Sequence, residues 1–119
     1  MAYEVVLRKL KEQTGIQGSS LNTVEGLPIA TDFPDSSTES ALISALSATV
    51  LLTGEKTTIE FQYGSLDHLM VKGEHGTVFL YKVNPKMILT ILAPNNVSLG
   101  IFILGVKKAI KEINSIIKL

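Results

Sequence analysis

Ser40-Ala41-Leu42-Ile43-Ser44-Ala45-Leu46-Ser47-Ala48-Thr49-Val50-Leu51-Leu52 is the stretch on which the fold and the function of this chain turn. A helix laid on a sheet, with its other side in water, carries charge on that outer side. This segment carries none for fifteen residues, from Ser40 to Gly54. Apolar residues fall all round it, and small ones recur at Ala41, Ala45 and Ala48 and at Ser40, Ser44 and Ser47. The pattern predicts a helix covered on two sides, by its own sheet and by a second helix that approaches closely. A chain of 119 residues has no further helix to place on that same side, so a second copy is the natural supplier. The alternative is an ordinary core helix with a mildly apolar outer side.

The sequence before this stretch supplies a beginning for the helix. Ser36-Ser37-Thr38-Glu39 fits a capping box with Ser36 as N-cap and Glu39 reaching back to its amide. The helix is expected to run to about Phe61, with Gly64 as the glycine beyond its C-terminus and Gly54 marking a bend or a close contact. Further upstream, Ala2 to Gln13 places Val6, Leu7 and Leu10 on one side and Arg8, Lys9, Lys11 and Glu12 elsewhere, a short amphipathic helix stopped by Gly15. Ile16 to Thr23 and Leu27 to Thr31 are expected as strands joined at Val24-Glu25-Gly26. Pro28 cannot donate to a ladder, which puts the second of them at a sheet edge.

Downstream of Gly64 the period becomes two, giving strands over Leu66 to Lys72, Thr77 to Val83 and Lys86 to Ala93. Gly73-Glu74-His75-Gly76 and Asn84-Pro85 are the connecting turns. Asn95-Asn96-Val97-Ser98 offers N-caps for a last helix with a stripe of Ile103, Val106, Ile110, Ile113 and Ile117 and with Lys107, Lys108, Lys111 and Glu112 turned away. Met87-Ile88-Leu89-Thr90-Ile91-Leu92-Ala93 is apolar on both alternations, which belongs at a sheet centre covered on both faces. The expected fold is therefore α+β, in the order α-β-β-α-β-β-β-α. It is a five-stranded antiparallel sheet with the long middle helix on one face and the two terminal helices on the other, in a single domain over residues 1–119.

Composition narrows the function. The mass is 12.9 kDa, 45% of the residues are hydrophobic, 18% are charged, and eleven Lys and Arg balance eleven Asp and Glu. A net charge of zero argues against a nucleic-acid partner and offers little long-range steering toward an anionic membrane. There is no cysteine, so disulfides, thiolate metal sites and cysteine nucleophiles are excluded. The charged N-terminal segment MAYEVVLRKLKEQ is not a signal peptide, and no apolar run is long enough for a membrane span, so a cytoplasmic protein without direct membrane insertion is expected.

Nothing in the sequence encodes catalysis. Phosphate-binding glycine motifs and a GxSxG elbow are absent. Asp32, Asp35 and Glu39 fit no calcium loop and are better explained by helix entry. His68 lies among Leu66, Leu69 and Met70 in a strand, where a structural or interface role is expected; His75 lies in a turn. The lysines of the last helix form a solvated face, with phosphates or an acidic membrane surface as the other reading. No catalytic residue, cofactor or metal is expected.

Several segments in a fixed order resemble the Roadblock (dynein light chain) family. They are Gly15-Ile16-Gln17-Gly18, Glu25-Gly26-Leu27-Pro28-Ile29-Ala30, the small-residue helix followed by Gly54-Glu55, Val71-Lys72-Gly73-Glu74-His75-Gly76, and Leu99-Gly100. The resemblance covers nearly the whole chain. It implies the five-stranded sandwich and a dimer in which the middle helices pack together and the strands after them, here Leu66 to Lys72, pair edge to edge. It further implies a regulator or scaffold for a small Ras-like GTPase. The one departure is that Arg8, in the first helix, is the only arginine, a poor candidate for an inserted arginine finger.

These considerations place the dimer interface on Leu42, Ala45, Ala48, Thr49 and Leu52 of the helix and on Leu66, His68 and Met70 of the pairing strand. Its expected partners are a second copy or a related Roadblock chain, and a small GTPase. The competing readings are a longin- or profilin-like adaptor for peptides or trafficking proteins, a PAS-type sensor, for which polar pocket residues are missing, and an enzyme, for which a titratable cluster is missing.

Overall fold

The computed structural model describes residues 2–34 and 39–117, with the side chain of Ile117 outside that set. The elements follow in the expected order: α1 (Ala2–Thr14), β1 (Gly18–Thr23), β2 (Pro28–Asp32), α2 (Ser40–Glu60), β3 (His68–Lys72), β4 (Thr77–Asn84), β5 (Met87–Ala93) and α3 (Leu99–Ile117). The five strands form one antiparallel sheet in the order β2-β1-β5-β4-β3.

The doubly apolar strand β5 is central, as its sequence requires. Its alternate residues serve two cores. Leu89 and Ile91, with Leu21 and Phe79, face a cluster built with Leu7 and Leu10 of α1 and Phe102, Val106 and Ile113 of α3. Ile88, with Leu80, faces the smaller cluster made with Leu51 of α2 and Leu66. The terminal helices therefore share one face of the sheet and α2 covers the other. On the first face Phe79 meets Phe102 at 4.4 Å between ring centroids, and α1 crosses α3 at Gly105, where a Cβ would collide with the Thr14 methyl. The β1–β2 hairpin turns at Gly26, whose φ of +97° suits glycine, and a Cβ there would lie 3.4 Å from the Ala45 Cα of α2. Pro28 lies on an edge strand, as predicted.

The helix ends differ from expectation. Ser36 and its neighbours Asp35, Ser37 and Thr38 lie outside the described residues; α2 starts at Ser40 with Glu39 as N-cap, extended at φ −82° and ψ 101° and making no side-chain cap bond. Glu39 is thus the residue before the helix, and cannot be the third helical residue that a capping box needs. At the other end Gln62, at φ +63°, takes the left-handed position next to the cap, and Gly64, beyond the helix as expected, is left-handed too at φ +87°. The Tyr63 amide donates to the Thr58 carbonyl at 2.8 Å and the Gln62 amide to the Ile59 carbonyl at 2.9 Å, the paired bonds of a Schellman ending.

In α3 the buried stripe is Phe102, Val106, Ala109 and Ile113, so Ile103 is turned out and Phe102 turned in relative to the predicted phase. Nearly every residue from Leu99 to Leu104 is apolar, which leaves the phase open in sequence; packing against Phe79 and α1 sets it. Of the N-cap candidates, Asn95 instead donates to the carbonyls of Gly73 and Glu74 at 3.1 and 3.2 Å, tying α3's approach to the β3–β4 hairpin.

Candidate interaction surface on the middle helix

Helix α2 is mounted with its small polar residues inward. Ser44, Ser47 and Leu51 are buried against the sheet, and Ser47 meets the Thr90 hydroxyl at 2.8 Å. Thr90 in turn lies 3.4 Å from the Asn22 side-chain oxygen, so a polar strip runs beneath the helix across β5 and β1. Beneath the helix the serines sit over this polar strip, and Leu51 alone among the leucines of α2 turns inward, onto Leu66, Leu80 and Ile88. The other three leucines face outward: Leu42 is 55% exposed, Leu46 56% and Leu52 54%. An amphipathic helix on its own in water would be mounted the other way round. Hydroxyls of Thr49, Thr53 and Thr57 each donate to the carbonyl four residues back, at 2.8 to 3.0 Å, so the threonines of the open face spend their donors on their own helix.

The open face continues onto β3. This strand pairs with β4 along one side and forms the edge of the sheet on the other, with Met70 and Val71 exposed. A free edge with exposed apolar residues is a template for another strand. Between helix and edge lies an apolar notch of about 190 Å³, walled by Leu46, Val50, Val71, Val78 and Leu80. Exposed Ile59, Phe61 and Tyr63 extend the surface past the end of α2, with Phe61 and Tyr63 stacked at 6.3 Å.

One charged link fixes the geometry of this face. The Lys82 ammonium of β4 donates to Glu55 of α2 at 2.8 Å and holds its carboxyl below the usual carboxylate range; partial burial opposes the shift, and the Leu66 amide, 3.4 Å away, adds to it. The bond joins α2 to β4 and to the segment that enters β3, so the open helix face and the open edge are held as one surface.

The sequence-predicted interface residues divide in three. Leu42, Ala45, Thr49 and Leu52 lie on the open face of α2, and His68 and Met70 on the exposed edge strand. Ala48 is half-buried and leans toward the β1–β2 turn, its Cβ 3.7 Å from where one on Gly26 would stand. Leu66 is a correction. It is only 9% exposed, precedes β3, and packs under α2 with Leu51, because the segment before His68 dives beneath the helix before the strand begins. Leu46 was missing from the predicted set, although its spacing from Leu42 and Thr49 puts it on the same side of a helix.

His68 stacks on Tyr81 at 5.1 Å and bonds through Nδ1 to Asp67 at 2.8 Å. Burial, with Asp67 nearby, raises the Tyr81 phenol. Among the described residues no three His, Asp or Glu side chains are grouped so that they could hold a metal ion. Arg8 is exposed on α1, across the sheet from the α2 surface. No helix of the described residues is long and apolar enough to cross a membrane.

The chain is similar to known proteins in both sequence and fold. It is 31% identical over 110 residues to the uncharacterized protein MJ1340 of Methanocaldococcus jannaschii, an alignment covering 92% of this chain and 95% of that one. Its fold superposes on MglB of Myxococcus xanthus with a TM-score of 0.91 at 17% identity, over 98% of this chain and 94% of the other. A Roadblock/LC7 domain from Streptomyces avermitilis superposes with a TM-score of 0.89 at 14% identity, over 98% of each chain. With residues 2–93 matching the Roadblock/LC7 domain itself, the chain belongs to that family.

Proposed function

We propose that the chain is a non-enzymatic homodimeric platform, working in the cytoplasm, that holds a small Ras-like GTPase and acts on its nucleotide cycle. The observation that carries this reading is the inverted mounting of α2, with serines under the helix and Leu42, Leu46 and Leu52 outside it. A two-fold pairing of α2 with its copy, and of β3 with β3 across the free edge, covers these leucines and satisfies the edge amides and carbonyls together. Fully burying a leucine is worth about 1.5–3 kcal/mol, so a few such residues per copy are enough to drive association when the two surfaces fit. A related Roadblock chain presents the same kind of surface and is the other partner the pairing accepts.

The GTPase role is what resemblance to the Roadblock family implies, and the match of residues 2–93 to the Roadblock/LC7 domain supports it. With Arg8 across the sheet from the α2 surface, a platform of this kind acts by positioning the GTPase's own switch residues and inserts no arginine of its own. The test is pairwise binding between the purified chain and each small Ras-like GTPase of the same cell, loaded with GDP or with a non-hydrolysable GTP analogue. Binding that favours one nucleotide state supports a regulator, equal binding of both reduces it to a scaffold, and binding of neither contradicts the reading.

A further inference from the structure

The overall balance of charge conceals a separation. Helices α1 and α3, which share one layer, carry six cations (Arg8, Lys9, Lys11, Lys107, Lys108 and Lys111) against three acids (Glu4, Glu12 and Glu112), a net +3. The rest of the described chain carries seven acids against four lysines. Lys9 is paired with Glu112 at 3.3 Å and Lys11 with Asp32 at 3.2 Å. Arg8, Lys107, Lys108 and Lys111 are exposed and have no acidic partner among the described residues.

The same layer exposes a group of large apolar residues at the start of α3. Ile101 and Leu104 are both more than half exposed, Leu104 at 71%. A shallow groove of about 220 Å³ lies between Ile101, Leu104, Lys108 and Gln13. None of these side chains is needed by the core, which α3 builds from Phe102, Val106, Ala109 and Ile113. A helix with exposed leucine and isoleucine at one end and unpaired lysines along the other has the composition of an element that lies on a lipid surface.

We propose that the α1/α3 layer docks on an anionic lipid bilayer, with Leu104 and Ile101 entering the headgroup boundary and Arg8, Lys107, Lys108 and Lys111 facing the phosphates. The charge distinguishes this occupant from the others. A second copy laid back to back brings two layers of net +3 together, which repel, and a nucleic acid has no use for the exposed leucines. In the dimer proposed above, a two-fold axis normal to the sheet turns both α1/α3 layers the same way, leaving the α2 side for a protein partner. That doubling rests on the proposed dimer; the docking of a single layer does not.

The experiment is co-sedimentation of the full chain with vesicles of phosphatidylcholine alone or mixed in equal parts with phosphatidylglycerol, at low and high salt. Pelleting with the anionic vesicles only, reversed by salt, is the expected result. Leu104→Glu and, separately, Lys107→Gln combined with Lys111→Gln each weaken vesicle binding about tenfold or more while the solution mass and melting temperature stay unchanged. Equal pelleting with neutral vesicles, no pelleting at low salt, or binding indifferent to both variants overturns the proposal. So does a solution mass above the dimer that Leu104→Glu lowers, which would make this face a contact between copies. Ala45→Arg, placed on the far side of the sheet, separates the two claims: it leaves salt-sensitive vesicle binding in place, weakened only if wild-type chains are paired.

Discussion

The two faces of the sheet are finished in opposite ways. On the α1/α3 face, large side chains point inward: Leu7, Leu10, Phe102 and Ile113 are fully buried, and the helices close on each other where Gly105 admits Thr14. On the α2 face, Ser44, Ser47 and Leu51 point inward and Leu42, Leu46 and Leu52 point out. The first face is completed by its own chain. The second has the materials of a core turned toward the outside, which is what a surface completed by another chain looks like. The difference teaches that hydrophobicity alone does not locate the core of a small domain. Thr90 and Asn22 on the sheet supply a polar partner for Ser47, so serine takes an inward place on α2 while Leu42, Leu46 and Leu52 take outward ones.

The largest effects should come from the self-completed face. Phe102→Ala removes a ring packed on Phe79 and should cost about 3–5 kcal/mol in urea unfolding, whatever the protein concentration. Leu51→Ala, beneath α2, should cost about 2–5 kcal/mol, whereas Leu46→Ala on the same helix should change the stability of a single copy by less than about 0.5 kcal/mol and weaken association instead. If both leucines behaved alike in a concentration series, the contrast between the two sides of α2 would be lost.

The Glu55–Lys82 link gives a pH-dependent test of the second face. Its folded-state carboxyl is held low, so its contribution is fully present above the unfolded glutamate value of about 4.3 and is lost as pH falls through the lower folded value. Stability curves of wild type and Glu55→Gln should therefore converge as pH drops below about 4. Curves that stay parallel would show that the link contributes no proton-linked stability. A small gain is expected at the end of α2, where Gln62→Gly should raise stability by up to about 1 kcal/mol, read as a slightly higher melting temperature, because glycine holds φ +63° without a Cβ penalty.

Much of this was legible from the chain. Period and turn residues placed all eight elements, and the doubly apolar run of β5 placed it at the sheet centre. Absence of charge between Ser40 and Gly54 singled out the helix whose outer side is both exposed and apolar. What failed was phase. In α3 the run Leu99-Gly100-Ile101-Phe102-Ile103-Leu104 is apolar on several sides, and only packing against Phe79 selects Phe102 over Ile103. In α2 nothing in the pattern said that serine would be chosen over leucine for the inside, since that choice depends on the Thr90 and Asn22 strip contributed by other strands. Leu66 was misplaced because alternation continues backward from β3 without a break, while the chain itself turns under α2 before His68. The separation of charge between the two layers was equally hidden, because a sum over residues carries no information about faces.

The central claim is that the outward leucines of α2 and the free edge of β3 are covered by a second copy. The most direct measurement is the molar mass of the purified chain by size exclusion with light scattering across a dilution series, with Ala45→Arg run beside it. A mass of twice 12.9 kDa that persists into the low micromolar range, and falls to 12.9 kDa in the variant with its fold intact, is the predicted result. A wild-type chain of 12.9 kDa at every concentration would contradict it.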